Sequence, residues 1–402
     1  MGVPKLRFKA DDGSDFPDWE EKTLGEVFIE IKEKNRSELP VLSVQQGVGT
    51  VLRDSSERRI AYNKNSLNNY KAMRKGDFII HLRSFEGGLE CSNHDGISSP
   101  AYRILRSNEI LSDAFKDYFR SYTFIKGKLS DSVVGIRDGK NIDMPTFWEI
   151  QISIPSLPEQ HKIADLLSAV DDVIAAQEAE VAAWEKRKKG VMQKLFSQEV
   201  RFKADDGSDF PDWESTTVGE LFTFVTEKNE SGRISDVITN SAEHGLIPQR
   251  EYFDKDIAVE GNTEGYTVIH KGDFVYNPRK STIAPFGPFN IYERDEVGIV
   301  SPLYTCLTPR DGETAPYLSW YFKTSRWHRY IVTHGAQGGA RHDRVGMTNA
   351  LMKGIPVMLP SLPEQRKIAD CLTSLDDVIA KAKDELDAWR ELKKGLLQQM
   401  FV

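Results

Sequence analysis

Cysteine is scarce in this 402-residue chain: Cys91, Cys306 and Cys371 have no paired spacing, which excludes a disulfide framework or a zinc knuckle and leaves them as buried small hydrophobes. Long apolar runs are missing as well. No 18 consecutive apolar residues occur, residues 1–12 hold no signal-peptide core, and Gly2 is followed at position 6 by leucine where myristoylation needs Ser or Thr. These absences predict a cytoplasmic protein with no membrane attachment. Nucleotide motifs are also missing. No G-x-x-x-x-G-K-[ST] occurs, and "GVGTVL" at 47–52 lacks the third glycine and strand context of a dinucleotide loop. "GISSP" places Pro100 where a nucleophile elbow needs glycine. Asn277-Pro278 is followed by Arg279, not by the second proline and aromatic of an amino-methyltransferase. Cys91 with His94, and His334 with His342, have no second ligand pair, so no metal is expected. The chain reads as a non-enzyme that binds no cofactor itself. A net excess of positive charge is lacking too, the formal charge being -8, but acid is concentrated in a few segments and other stretches are locally basic.

What the chain has in abundance is repetition. "RFKADDGSDFPDWE" stands at Arg7–Glu20 and again, unchanged, at Arg201–Glu214. A segment so poor in apolar residues offers no evident packing reason for exact copying, which points to a larger duplicated module. Residues 154–196 and 359–401 share 24 identities in 43 positions. Each begins as a helix start, with Ser156 and Glu159, or Ser361 and Glu364, spaced as a capping box and Pro158 or Pro363 in the first turn. Each then follows a 3.5-residue period. Ile163, Leu167, Val170, Ile174, Gln177, Val181, Trp184, Lys188, Val191 and Leu195 alternate spacings of four and three. Ile368, Leu372, Leu375, Ile379, Ala382, Leu386, Trp389, Lys393, Leu396 and Met400 repeat the register. That period predicts coiled-coil seams and two helices packed on each other, each about 58 Å long, with a bundle core as the alternative.

The intervening regions resemble each other only faintly. Lys75-Gly76-Asp77-Phe78 matches Lys271-Gly272-Asp273-Phe274, and "GISSPAY" at 96–102 matches "GIVSPLY" at 298–304. Short β-runs ("DFIIHL", "AYRIL", "DFVYN", "LYTCL") alternate with turn residues and are followed by one aromatic helix around Tyr118–Phe124 or Tyr317–Tyr330. The expected class is α+β. The segments are an arm at 1–20, a mixed globule at 21–155, a spacer helix at 156–196, a linker with the repeated arm at 197–214, a second globule at 215–358 and a second spacer helix at 359–402.

Four loop clusters offer binding chemistry. "HLRSFEGG" contributes Arg83, Ser84 and Glu86; "SVVGIRDGKNI" contributes Arg137 and Lys140 among glycines. "YNPRKST" contributes Asn277, Arg279 and Lys280, and "GAQGGARHDRVG" contributes Gln337, Arg341, His342 and Arg344. Arg can fork onto guanine, Asn or Gln onto adenine, and Glu can accept from cytosine. Each alone also fits a solvated turn charge. Trp148, Trp320, Trp327, Tyr118 and Phe119 have core spacing, while Lys188, Lys189, Lys393 and Lys394 form a basic helix face able to touch a phosphate backbone.

The doubled "PSLPEQ" leading into "KIAD…DDVIA…W…KKG", the doubled "DFPDWE" arm, and "KGDF" with "GI.SP.Y" in each globule resemble the specificity subunit of type I restriction-modification systems over essentially the whole chain. The resemblance implies two target recognition domains, at 21–155 and 215–358, separated by two long antiparallel coiled-coil helices with pseudo-twofold repetition. It implies a subunit without catalysis that binds double-stranded DNA, reads a bipartite target with a fixed gap, and recruits two modification (adenine-N6 methyltransferase) subunits and, in systems that cut, two restriction (motor-nuclease) subunits. S-adenosylmethionine, ATP and Mg would sit on those partners. Docking is then expected along the helix seam: Ile163, Leu167, Val170, Ile174, Val181, Trp184, Ile368, Leu372, Leu375, Ile379, Leu386 and Trp389. The readings left beside it are a duplicated DNA-binding or scaffolding protein outside restriction and a protein-only scaffold.

Overall fold

The structure, a computed structural model, describes residues 4–53, 64–81, 88–108, 111–135, 141–252, 263–335 and 343–401. The chain divides into two compact units, Met1–Glu180 with Ala382–Val402, and Val181–Lys381. Two long helices, Leu157–Ser197 and Leu362–Met400, run through the division, so each unit takes half of either helix.

Within the first unit the strand Glu20–Thr23 pairs antiparallel with Gln151–Ile154, the strand that leads directly into the first long helix. Between these two strands the chain makes a four-stranded antiparallel sheet in the order 28–31, 102–107, 78–81, 90–91. "DFII" does not alternate polar with apolar because both faces of its strand are covered. Phe78 and Ile80 face a large core with Phe28, Leu105 and Phe119, while Ile79 faces a smaller cluster of Leu42, Met73 and Ile104. The second unit repeats the plan. Strands 214–217 and 356–359 pair, and the sheet order is 222–224, 305–309, 274–276, 289–291. Phe274, Tyr276 and Leu307 enter its large core, and Val275 and Cys306 its smaller one. Burial pushes the Cys306 thiol up to about 12, as expected of an inert core cysteine.

The "KGDF" repeat is a turn. Gly76 and Gly272 take φ of 89° and 94°, which glycine allows without strain. Asp77 accepts from the Arg74 N–H and is gripped by the Arg106 guanidinium at 2.7 and 2.8 Å. Asp273 accepts from the His270 N–H and from the Thr308 hydroxyl. Both aspartates are nearly buried, so their role is to fix the strand entry.

Two expectations are corrected. The single aromatic helix of each globule is broken in two, at Asp113–Arg120 and Tyr122–Gly127, and at Ala315–Tyr321 and His328–His334. Hydroxyls cause the break: Ser121 accepts from the Phe124 N–H, and Thr324 bonds both the Tyr321 carbonyl and the Arg326 N–H. The capping boxes at the long helices do not form. The hydroxyls of Ser156 and Ser361 are buried without a hydrogen-bond partner, and the carboxylates of Glu159 and Glu364, the other half of each box, are held elsewhere.

They are held by the repeated arm. Arg7 places Nε and Nη2 on the two oxygens of Glu159 at 3.0 and 2.8 Å, and the Trp19 indole N–H donates to the same carboxylate at 3.1 Å. Arg201 and Trp213 grip Glu364 in the same way, at 3.0, 2.7 and 3.1 Å. Both carboxylates are fully buried. The arm therefore does have a packing reason to be copied. Its tip is a tight turn in which Asp12 or Asp206 accepts from Ser14 or Ser208, and Lys162 or Lys367 reaches from the helix to Asp11 or Asp205. The last carbonyls of the helices are met alike: Leu6 N–H donates to Gln399, and Val200 N–H to Lys194.

Removing either buried carboxylate leaves a guanidinium and an indole N–H without their partner. Glu159→Ala and Glu364→Ala are each expected to cost about 2–4 kcal/mol in urea unfolding followed by tryptophan fluorescence; a change too small to measure would show that the arm is only laid on the helix.

Candidate nucleic-acid interface and its helix frame

The seam positions are buried or half-buried throughout. Ile163 and Leu167 belong to the large core of the first unit together with Met400, and Ile368 and Leu372 to that of the second with Leu195 and Phe196. Val170, Val181, Ile379 and Leu386 are buried, while Ile174, Trp184, Leu375 and Trp389 are half-buried. The buried members serve internal packing, while Ile174, Trp184, Leu375 and Trp389 keep part of their surface exposed.

The lysines in the seam have a defined role. In the first unit Lys393 donates to both oxygens of Asp171 at 2.7 and 2.8 Å, and Arg390 meets Glu178 at 2.7 Å. As the first helix advances from 171 to 178 its partner retreats from 393 to 390, so the segments run antiparallel. In the second unit Lys188 pairs with Asp376 and also lies over the Trp320 ring, 4.9 Å from its centre. Asp171 and Asp376 are equivalent in the repeat, as are Lys188 and Lys393, so one ion pair occurs twice. Two of the four lysines assigned to a phosphate-facing stripe are therefore committed inside the protein. Lys189 and Lys394 remain exposed, the latter beside Glu391.

Among the expected reading residues, Arg83, Ser84, Glu86, Arg137, Lys140, Gln337, Arg341 and His342 lie outside the described residues. The other four stand together. A short antiparallel bridge joins Arg279 to Arg344, with Lys280 N–H donating to Asp343 and Val345 N–H to Pro278. Two of the loop clusters picked from sequence, 277–281 and the end of the glycine-rich loop at 343–345, are thus side by side. Asp343 stands 3.9 Å from Arg279 and 4.0 Å from Arg344, too far to neutralise either firmly. Arg279 and Lys280 are exposed on one wall of a cleft of about 370 Å³. Asn277 differs from them. It is only 9% exposed, its amide donates to the Asn240 carbonyl and its oxygen accepts from the Arg279 N–H, so it locks the turn.

The expected core aromatics Tyr118, Phe119, Trp320 and Trp327 are buried and Trp148 is half-buried, away from any base-stacking role. What sequence reasoning missed is the buried carboxylate of each clip; the signal was the unchanged Arg and Trp of the repeated arm.

The family model of the type I restriction modification DNA specificity domain matches residues 17–183 and again 211–388. The chain belongs to this family. The MjaVIII type I restriction enzyme specificity subunit of Methanocaldococcus jannaschii is 22% identical, over 96% of this chain and 92% of its own. The S subunit of a type I system from M. genitalium shares the fold at a TM-score of 0.53 and 16% identity, covering 100% of this chain and 99% of that one. A chain from a structure on complex assembly and conformational transition of the type I system gives 0.59 and 18%, covering 96% and 98%. Specificity subunits are non-catalytic components of these systems, and the α+β duplication with two long helices is the expected architecture.

In this specificity subunit the repeated Lys–Asp pair is partly exposed, so its coupling should be modest. A double-mutant cycle on Lys393→Ala and Asp171→Ala is expected to return about 0.5–1 kcal/mol, while Lys189→Ala leaves the unfolding midpoint unchanged. Zero coupling would remove the pair from the account of the seam.

Proposed function

We propose that this specificity subunit reads a two-part DNA target with a fixed gap, one half by each unit, and brings two adenine-N6 methyltransferase subunits to it, with motor-nuclease subunits able to join. S-adenosylmethionine, ATP and Mg belong to those partners in this reading, and the chain itself works in the cytoplasm. The supporting observation is the contrast between frame and loops. The Arg–Glu–Trp clip, the Asp turn and the Lys–Asp pair recur residue by residue. After the equivalent strands the letters diverge, "LRSFEG" in the first unit and "PRKSTI" in the second. A constant frame suits two copies of one partner; unlike loops suit two unlike half-sites.

The cations bear on DNA in distinguishable ways. A phosphate contact weakens binding on every sequence and lowers its salt dependence, whereas a base contact changes one position of the target. Reading one face of B-DNA with two modules sets their centres about one turn, 34 Å, apart. The long helices are proposed to set that gap.

Coexpression of the chain with its methyltransferase subunit in a methylation-free host, followed by single-molecule mapping of N6-methyladenine, is expected to give a two-part motif with a fixed gap that is absent without this chain. No motif would overturn the reading. Arg344→Ala is expected to weaken or relax one half only, by about 1–3 kcal/mol for a base contact; equal loss on unrelated DNA would reassign it to phosphate. Inserting a seven-residue block in each long helix should change the gap and leave both half-sites intact, and altered half-sites with an unchanged gap would refute the spacer role.

A further inference from the structure

The cleft beside Arg279 and Lys280 has a second wall that carries the opposite charge. It is the hairpin 238–241 to 245–248, whose tip bears Glu243 and His244. Glu243 has 69% of its side chain exposed, and the imidazole of His244 lies 3.9 Å from its carboxylate. A carboxylate facing two cations across a cleft offered to DNA is costly if the cleft only grips phosphate, because it repels the phosphate oxygens. A base edge with an amino group is the part of DNA that a carboxylate attracts.

The backbone of the tip is hydrogen-bonded. Ser241 Oγ accepts from the N–H groups of both Glu243 and His244 at 3.2 Å. Behind it three asparagines tie the hairpin to the opposite wall. Asn240 donates to the Val275 carbonyl at 2.7 Å, Asn290 donates to the Asn240 side-chain oxygen at 2.7 Å and to the Ser241 carbonyl at 3.1 Å, and Asn277 donates to the Asn240 carbonyl at 3.1 Å. The far loop is closed at Gly287, where a side chain would collide with the Asn277 carbonyl. The backbone that carries Glu243 is therefore tied to the strand end that carries Arg279 and Lys280, the kind of support a discriminating site requires. In the first unit the equivalent hairpin is pinned too, by Asn93 to the Val48 carbonyl and by Glu90 to the Gly47 N–H. Its tip presents Gln46 and Val48, with no ionised group. Support is kept while the presented chemistry changes.

We infer that Glu243 is a specificity-determining residue of the second unit, reading the amino group of a cytosine in its half-site, with Asn240, Asn277 and Asn290 as positioning residues and Arg279 and Lys280 on the flanking phosphates. The inference rests on the two-part reading proposed above.

The test uses the full chain coexpressed with its methyltransferase subunit and single-molecule mapping of N6-methyladenine, for the parent, Glu243→Ala and Glu243→Gln. The exposed tip makes misfolding of these variants avoidable, and copurification with the methyltransferase verifies assembly. Glu243→Ala should lower the preference for C at one position of one half by about tenfold or more, and Glu243→Gln should move that position toward A, since an amide can pair with adenine. The other half and the gap stay as they are. A parent motif left intact by both variants overturns the role of Glu243 while the specificity-subunit reading stands. Equal loss of methylation at all positions also overturns it, marking Glu243 as structural. A parent that yields no two-part motif overturns the reading beneath it.

Discussion

Each unit depends on one buried carboxylate. Glu159 and Glu364 lie in the first turns of the long helices with no exposed surface, and an ionised group there is tolerable only because a bidentate guanidinium and an indole N–H satisfy it. The arms are thereby fixed to the helix starts, and the strands that follow them, 20–23 and 214–217, are delivered to the strands that precede the helices. Each globule is then an insertion between two strands that are already paired. Its ends are set by the frame, so its loops can differ without disturbing how the helix begins. This is a physical reason for near-identical arms to surround dissimilar interiors.

The seam applies the same economy to register. A heptad of leucines and isoleucines buries well at more than one offset, and a single charged residue at a seam position penalises the wrong ones. Lys188 and Lys393 each find an aspartate on the other helix at the offset of this structure. Their net stabilisation is small because Asp171 and Asp376 stay partly exposed. The pairs select an alignment that the apolar residues then hold.

The architecture was legible in the sequence wherever it was duplicated. The helices, the strands at 78–81, 102–107, 274–276 and 305–309, and the family itself all follow from paired motifs. Legibility failed where one spacing serves two structures. Ser156 and Glu159 are three apart, which fits a capping box, yet the glutamate is claimed by an arginine 152 residues away. The aromatic stretches have helical spacing, yet Ser121 and Thr324 divert backbone bonds and split them. Seam leucines read equally as core or as partner surface until their burial is seen.

The reading loops show the limit most clearly. Asn277 and Arg279 are two residues apart, both polar, both in a turn, and both chemically able to contact a base. Burial separates them: Asn277 is enclosed by the Asn240 carbonyl and the Arg279 N–H, while Arg279 projects with 67% of its side chain exposed. An amide that supports a loop and an amide that reads adenine make the same hydrogen bonds, so only the identity of the acceptor distinguishes them, and that acceptor is supplied by a hairpin 37 residues earlier. Sites of recognition are therefore the least legible part of such a chain. The residues that support them are drawn from the same polar set as the residues that do the recognising.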